Sequence, residues 1–341
     1  MSAERNRQVV IAKIPQGALQ VSDFEVREVP VPEPGAGQLL VRTLRLSMDP
    51  ATRARISDAG HPGLLGVGDV MAGSALAEVV TSLEPGFAPG DIVECHTGWQ
   101  DYSLQEPGAV ATFDKLGTLE EHLSIYGVSG LTGYFGMREV GEPAPGKTVL
   151  VSAAGGAVGH IAGQVAKQLG ARVVGIVGSE EKGRWLTETL GFDAAINRRG
   201  EKLSAQLKTI CPDGIDIYFD NVGGEILEAV LPRMNEHGRV VCCGYASQYD
   251  VAAPVTATRG VPALLVGKRL RMEGFVVMDY YDMKQAARET LAGWLAAGQI
   301  KLSVDMLEGL ERAPEAFVGL FGGDNRGKRL VRVAEPAVNA G

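Results

Sequence analysis

Residues 147–182, KTVLVSAAGGAVGHIAGQVAKQLGARVVGIVGSEEK, leave this chain little freedom of fold. An apolar, β-branched run at 148–152 reads as a buried strand. It is followed by Ala153-Ala154-Gly155-Gly156-Ala157-Val158-Gly159, a helical pattern over about 157–169, the stop residue Gly170, and a second buried strand at 172–177. Strand, glycine turn, helix and parallel strand together form a βαβ unit of the kind that opens a doubly wound α/β sheet. Gly155 and Gly156 let an anionic group approach the main chain, and Gly159 removes a side chain where helix and strand must pack closely. The helix N-terminus presents free N–H groups and the positive end of its dipole. This order of parts suits the diphosphate of a dinucleotide, with Ala154, Gly155, Gly156, Ala157 and Val158 as the holding turn.

The end of the second strand selects between dinucleotides. An acidic residue there accepts a hydrogen bond from a ribose hydroxyl, whereas a 2′-phosphate needs cations. Val177 occupies the place here, followed by Gly178 and Ser179, with Lys182 just beyond. Arg198 and Arg199 follow the third strand, 194–196. NADP is therefore the expected cofactor, although Glu180 and Glu181 bring the opposite sign nearby.

The 341 residues suffice for two domains. Residues 1–123 carry short β patterns (9–12, 39–44, 75–80, 91–94) separated by Pro- and Gly-rich turns, which reads as a barrel-like β domain. Alternating strands and helices over 124–300 read as the dinucleotide domain, and 301–341 as a return to the first, with a helix at 313–321 and a closing strand at 328–333. Within the α/β part, 215–220, 238–243 and 270–277 read as further strands, 225–231 and 280–297 as helices, and 261–268 as a loop able to cover a pocket. Ligands of such sheets lie beyond the C-terminal strand ends, so Asn221, Gly244, Tyr245, Ser247, Tyr249, Phe275, Val276 and Val277 are candidates to line the cleft.

A net charge of −8 speaks against nucleic acid as a partner. No apolar run is long enough to span a membrane, and MSAERNRQVV lacks an apolar signal core, so a cytoplasmic location is expected. Cys95, Cys211, Cys242 and Cys243 form no C-x-x-C pair, and Cys95-His96 finds no evident third ligand, so neither disulfides nor zinc are expected. His61 and His96 read as loop residues, and an apolar edge over 270–277 suggests a homodimer.

Several motifs together carry a family resemblance: Leu46-Ser47-Met48-Asp49-Pro50, Gly130-Leu131-Thr132-Gly133-Tyr134-Phe135-Gly136, the AAGGAVG turn, Tyr218-Phe219-Asp220-Asn221-Val222-Gly223-Gly224, Glu273-Gly274-Phe275-Val276-Val277, and Gly323-Asp324-Asn325-Arg326-Gly327-Lys328. Over nearly its full length the chain resembles the medium-chain dehydrogenase/reductases, most closely the zinc-free branch of prostaglandin, curcumin and plant alkenal double-bond reductases. The resemblance implies a GroES-like β-barrel catalytic domain beside a Rossmann domain, and NADP held by the glycine turn, Lys182, the 244–249 loop, 275–277 and Asn325. It implies reduction of a carbon–carbon double bond conjugated to a carbonyl in a small hydrophobic substrate. Ser47-Met48-Asp49 has no Cys where zinc-bearing members carry one. Arg198 stands where many relatives carry Tyr, and Ala51-Thr52-Arg53 replaces Tyr-Met-Arg. Tyr249 is the candidate donor to the carbonyl oxygen, and Met48, Asp49, Trp99 and Tyr134 are candidate pocket residues. Alternatives on the same cofactor are a quinone reductase or an alcohol/carbonyl reductase. An alternative of another class is a non-catalytic NADPH-binding protein, a sensor or a crystallin-like protein.

Overall fold

The computed structural model describes residues 5–57, 63–250 and 260–337; His61 lies outside them. The chain divides into two units. The first comprises Met1–Leu123, Val304–Asp324 and Arg329–Gly341, and the second Ser124–Ser303 and Asn325–Lys328. The segment after residue 301 is thus not all a return to the first unit, because Asn325–Lys328 belongs with the second.

In the first unit, β1 (Arg5–Ile11) pairs antiparallel with β2 (Phe24–Pro30). A larger sheet forms around β3 (Leu39–Ser47), which pairs antiparallel with β4 (Ala75–Ser82) and β6 (Tyr102–Gln105). β5 (Ile92–Cys95) joins β4, β7 (Ala111–Thr112) joins β5, and α1 (Leu119–Leu123) follows. β3 is buried along nearly its whole length, including Arg45. Burial of that cation is compensated by Glu120 at 2.7 Å and Glu335 at 2.9 Å. Trp99, 1% exposed, packs its ring 5.4 Å from both Phe24 and Phe317. A Cβ on Gly73 would come within 2.7 Å of that indole. Met48, 2% exposed, belongs to the same cluster. Trp99 and Met48 are therefore core residues, a correction to their expected place on a pocket wall.

The second unit is a parallel sheet. Its strands are β8 (Thr148–Val151), β9 (Arg172–Val177), β10 (Ala194–Asn197), β11 (Ile215–Asp220), β12 (Met234–Cys242) and β13 (Arg271–Gly274). They lie in the order β10-β9-β8-β11-β12-β13, every pair parallel. Val149, Leu150, Val173 and Val174 are fully buried because helices cover both faces, which is why these strands read as continuous apolar runs. The helices are α2 (Val128–Phe135), α3 (Gly159–Gln168), α4 (Glu180–Glu188), α5 (Leu203–Ile210), α6 (Gly224–Val230), α7 (Val261–Lys268) and α8 (Lys284–Ala296). The strand order reverses at β8 and β11, the point at which such sheets open a crevice. No helix among the described residues is long and apolar enough to cross a membrane.

Two expectations are corrected here. Residues 261–268 form a helix rather than a loop, bounded by left-handed Gly260 and Arg269 and opened by Pro262; Val261 and Leu264 pack on the core. The sixth strand ends at Gly274 instead of 277, because Val277–Met283 coils into a 3-10 turn.

The chain then returns through β14 (Val304–Glu308), α9 (Ala313–Gly322) and β15 (Lys328–Arg332). β15 pairs antiparallel with β3, Leu330 opposite Ser47.

Candidate functional site

β8 ends at Val151, and the turn that follows is tied to β9 by Ala154 N–H donating to the Ile176 carbonyl at 3.0 Å. Ala153 takes a left-handed φ of 47°. A Cβ on Gly159 would stand 2.4 Å from the Ala153 carbonyl oxygen, so the first residue of α3 must be glycine. Gly155 and Gly156 differ. Neither has a positive φ, and a Cβ there would meet the protein no closer than 3.4 Å and 3.3 Å respectively. Their own fold does not exclude a small side chain; its absence leaves the main chain open to a ligand. Ala157 and Val158 then lead into α3.

Val177, buried, ends β9, and Ser179 caps α4 by accepting the Lys182 backbone N–H at 3.3 Å. Lys182 donates its ammonium to the Asn325 carbonyl. A Cβ on Gly178 would lie 3.8 Å from Arg199 Nε and 4.0 Å from Arg198 Nε, so both exposed guanidinium groups flank this strand end. Glu180 accepts from Asn197 at 2.8 Å and Glu181 pairs with Arg326, so both carboxylates are engaged elsewhere. Arg326, absent from the expected residues, stands 5.6 Å over the Trp185 ring, which in turn faces Gly155. Asn325 is 8% exposed and spends its side-chain amide on the Gly327 carbonyl at 2.8 Å, while the Gly327 N–H donates to Gly155 at 2.8 Å. Asn325 thus reaches the site through its backbone rather than its side chain. An open glycine main chain, a helix N-terminus and three cations without an acid at the strand end fit a phosphorylated dinucleotide.

Beyond β11, the buried Asp220 carboxylate accepts from Tyr218 Oη (2.8 Å), Val222 N (3.0 Å) and Gly223 N (2.8 Å). That fixes the loop carrying Asn221. Asn221 accepts from Ala246 N, and Ser247 donates its hydroxyl to Val222 at 2.6 Å. A cavity of about 940 Å³ opens at the ends of β11, β12 and β13. Asp220, Gly244, Tyr245, Gln248, Phe275 and Val276 line it, with Glu225 and Glu228. Asn221, Ser247, Tyr249 and the glycine turn are not part of that lining, and Val277 is buried, only 6% exposed. Phe275 can occupy its place because position 136 is glycine: a Cβ there would stand 2.3 Å from the ring.

Tyr249 follows the Ala246–Gln248 turn, half-buried, its ring 4.6 Å from Tyr245. Burial pushes its phenol up, against a backbone hydrogen bond at Tyr245 that lowers it. Tyr134 is 4% exposed; its hydroxyl accepts from Arg138 at 2.7 Å and its ring lies 6.0 Å from Trp294. It is a packing residue of the helix layer, which corrects its expected place on a pocket wall. Asp49 accepts the Ser47 hydroxyl and precedes the Pro50–Arg55 turn. Burial raises the Cys242 and Cys243 thiols to about 11 and about 12, so neither is a nucleophile near neutral pH. Among the described residues no group of three or more His, Cys, Asp or Glu could hold a metal ion.

The chain matches the N-terminal domain of oxidoreductase over residues 7–112 and zinc-binding dehydrogenase over 157–292. It is 42% identical to the 2-alkenal reductase (NADP(+)-dependent) of Nicotiana tabacum, covering 96% of this chain and 98% of the relative. It is 38% identical to the NADPH-dependent curcumin reductase of Escherichia coli, covering 97% and 98%. The crystal structure of CurA from Vibrio vulnificus in complex with NADPH superposes with a TM-score of 0.90 at 38% identity, covering 97% of this chain and all of that one. The glycine turn, the basic strand end and these full-length likenesses agree: the chain belongs to the medium-chain dehydrogenase/reductase superfamily, in its zinc-free reductase branch.

Proposed function

We propose that this oxidoreductase uses NADPH to reduce a carbon–carbon double bond conjugated to a carbonyl in a small hydrophobic substrate. The observation that carries the reading is full-length likeness to relatives named for 2-alkenal, curcumin and pulegone, at 37–42% identity. The likeness to a quinone oxidoreductase of Escherichia coli, at 22% identity, speaks for the fold alone.

In this reading Gly155, Gly156, Ala157 and Val158 hold the diphosphate, and Lys182, Arg198 and Arg199 hold the 2′-phosphate, with Gly178 and Ser179 beside it. Asn221, Gly244, Tyr245, Ser247, Phe275, Val276 and Val277 shape the nicotinamide end. Bound NADPH supplies the hydride that reaches the β-carbon. Charge then collects on the carbonyl oxygen as an enolate, which needs a donor. Tyr249 serves as that donor: a phenol, with an ordinary pKa of ~10, is protonated at neutral pH, and burial raises it further. A donor so placed lowers the barrier by roughly 2.7–4 kcal/mol. The α-carbon takes its proton from the Tyr249 hydroxyl or from water, completing a two-electron, two-proton-equivalent reduction.

A panel of enals, enones, quinones and ketones, each assayed with NADPH and with NADH, tests this. Saturated aldehydes or ketones should be the products, formed preferentially with NADPH. Turnover confined to quinones, or none with any acceptor, would sink the reading.

We also propose that two copies pair along β13, the edge of the parallel sheet. The exposed Val266, Val276 and Met278 lie on α7 and just after β13, close to it in sequence. Light scattering at the mass of one chain would reject the pairing.

A further inference from the structure

Two carboxylates, Glu180 and Glu181, stand in the first turn of α4 beside Lys182, at the strand end where the 2′-phosphate is proposed to bind. Either one, left bare, would repel a phosphate there. Glu180 is held by Asn197 at 2.8 Å. Glu181 is the more open, its side chain 71% exposed, and its partner comes from far along the chain: the Arg326 guanidinium.

A strap on the glycine turn puts Arg326 in reach. Gly327 forms a parallel bridge with Gly156, and its N–H donates to the Gly155 carbonyl at 2.8 Å. Lys182 donates to the Asn325 carbonyl, and the Ser303 hydroxyl donates to the Arg326 carbonyl at 3.2 Å. Gly327 has a φ of 73°, and a Cβ on it would overlap the Ser303 carbonyl oxygen, so the strap holds one register. The main chain at 326 is therefore fixed by its neighbours, whatever side chain it carries. The guanidinium takes no part in those bonds. It lies on α4 instead, against two residues four apart on one face: it pairs with Glu181 and stands 5.6 Å over the Trp185 ring.

We infer that Arg326 is a positioning residue for cofactor choice: it neutralises Glu181 and draws it to the strap, so that Lys182, Arg198 and Arg199 select NADPH over NADH unopposed. The inference rests on the NADPH reading above and deepens it. The pair is exposed and screened by salt, so the effect is modest.

The test measures NADPH and NADH affinity by calorimetry for wild type, Arg326→Gln, Glu181→Gln and the double variant, with thermal melting of each. Arg326→Gln should raise the Kd for NADPH about threefold to tenfold and that for NADH less than about twofold. Glu181→Gln alone should bind NADPH no more weakly than wild type. The double variant should return to within about twofold of wild type, because no carboxylate remains to be neutralised. In ~1 M salt the gap between wild type and Arg326→Gln should close. Wild-type NADPH affinity in Arg326→Gln, or equal losses for the two cofactors, overturns the inference. So does a double variant as weak as Arg326→Gln, which would make Arg326 a direct phosphate ligand. None of these outcomes touches the cofactor reading, whereas a wild type that does not prefer NADPH to NADH would overturn both.

Discussion

The side-chain amide of Asn221 donates to the Ser152 carbonyl at 2.7 Å, and the Ser152 hydroxyl accepts the Asn221 backbone N–H at 2.9 Å. These bonds tie the ends of β8 and β11 where the strand order reverses. The same hydroxyl stands 3.2 Å from Asp220, whose carboxylate orders the next loop. Ser152→Ala removes a fully buried group from this network. It should cost about 1–3 kcal/mol of stability, read as a lower urea midpoint, and weaken NADPH binding. An unchanged midpoint would show the link to be dispensable.

The cations around Gly178 should discriminate between cofactors. Lys182→Ala and Arg198→Ala each remove a charged donor from the proposed 2′-phosphate place. Such bonds contribute about 1.5–3 kcal/mol, so each substitution should lower kcat/KM for NADPH by roughly tenfold to a hundredfold. NADH should be affected less than about threefold. Equal losses for the two cofactors would move these residues to the diphosphate or to the fold.

Tyr249→Phe removes the proposed donor and leaves the ring against Tyr245. The expected loss is about 10²–10³ in kcat, with NADPH affinity unchanged. Because burial raises the phenol, the wild-type rate should stay level through the neutral range and fall only where the phenol ionises, above its ordinary ~10. A variant within twofold of wild type would leave the charge to another donor.

How much of this was legible in the sequence depends on the reach of each interaction. The glycine turn, β8, α3 and β9 were readable because their determinants lie within thirty-odd consecutive residues. The burial of Trp99 was not, since it is set by Phe24 and Phe317, on distant parts of the chain. Tyr134 read as a pocket residue because nothing local announces its contact with Trp294. Arg326 went unnoticed for the same reason: its partners Glu181 and Trp185 lie some 140 residues earlier. The α7 segment, with Pro262 and Gly267 in eight residues, is too short and too broken for periodicity to separate helix from loop.

Gly159 offers a steric test of the turn. Alanine there would put its Cβ 2.4 Å from the Ala153 carbonyl oxygen and 2.8 Å from the Ala154 Cα, both backbone atoms with little room to yield. Overpacking of this kind costs about 1–3 kcal/mol. Gly159→Ala should lower both the urea midpoint and NADPH affinity, because α3 must withdraw from the turn. Gly155→Ala should leave the unfolding free energy within about 0.5 kcal/mol of wild type, as its Cβ meets the protein only at 3.4 Å, yet weaken NADPH binding. Equal midpoints for both variants would refute the distinction between the packing glycine and the approach glycine.

His160 gives the fold an acid limit. Burial lowers its pKa from the ordinary 6.5 to about 4, against the raising effect of the Gly156 and Ala157 carbonyls. Between those values the unfolded chain holds a proton that the folded chain refuses, so stability rises with pH there. The contribution is complete above about 6.5, declines as the pH falls and is gone below about 4. The span corresponds to roughly 3 kcal/mol at most. His160→Gln has no such group to protonate. Urea midpoints measured from pH 7.5 down to 4.5 should therefore fall more steeply for wild type than for the variant. Parallel acid limbs would mean that the imidazole reaches solvent in the folded chain.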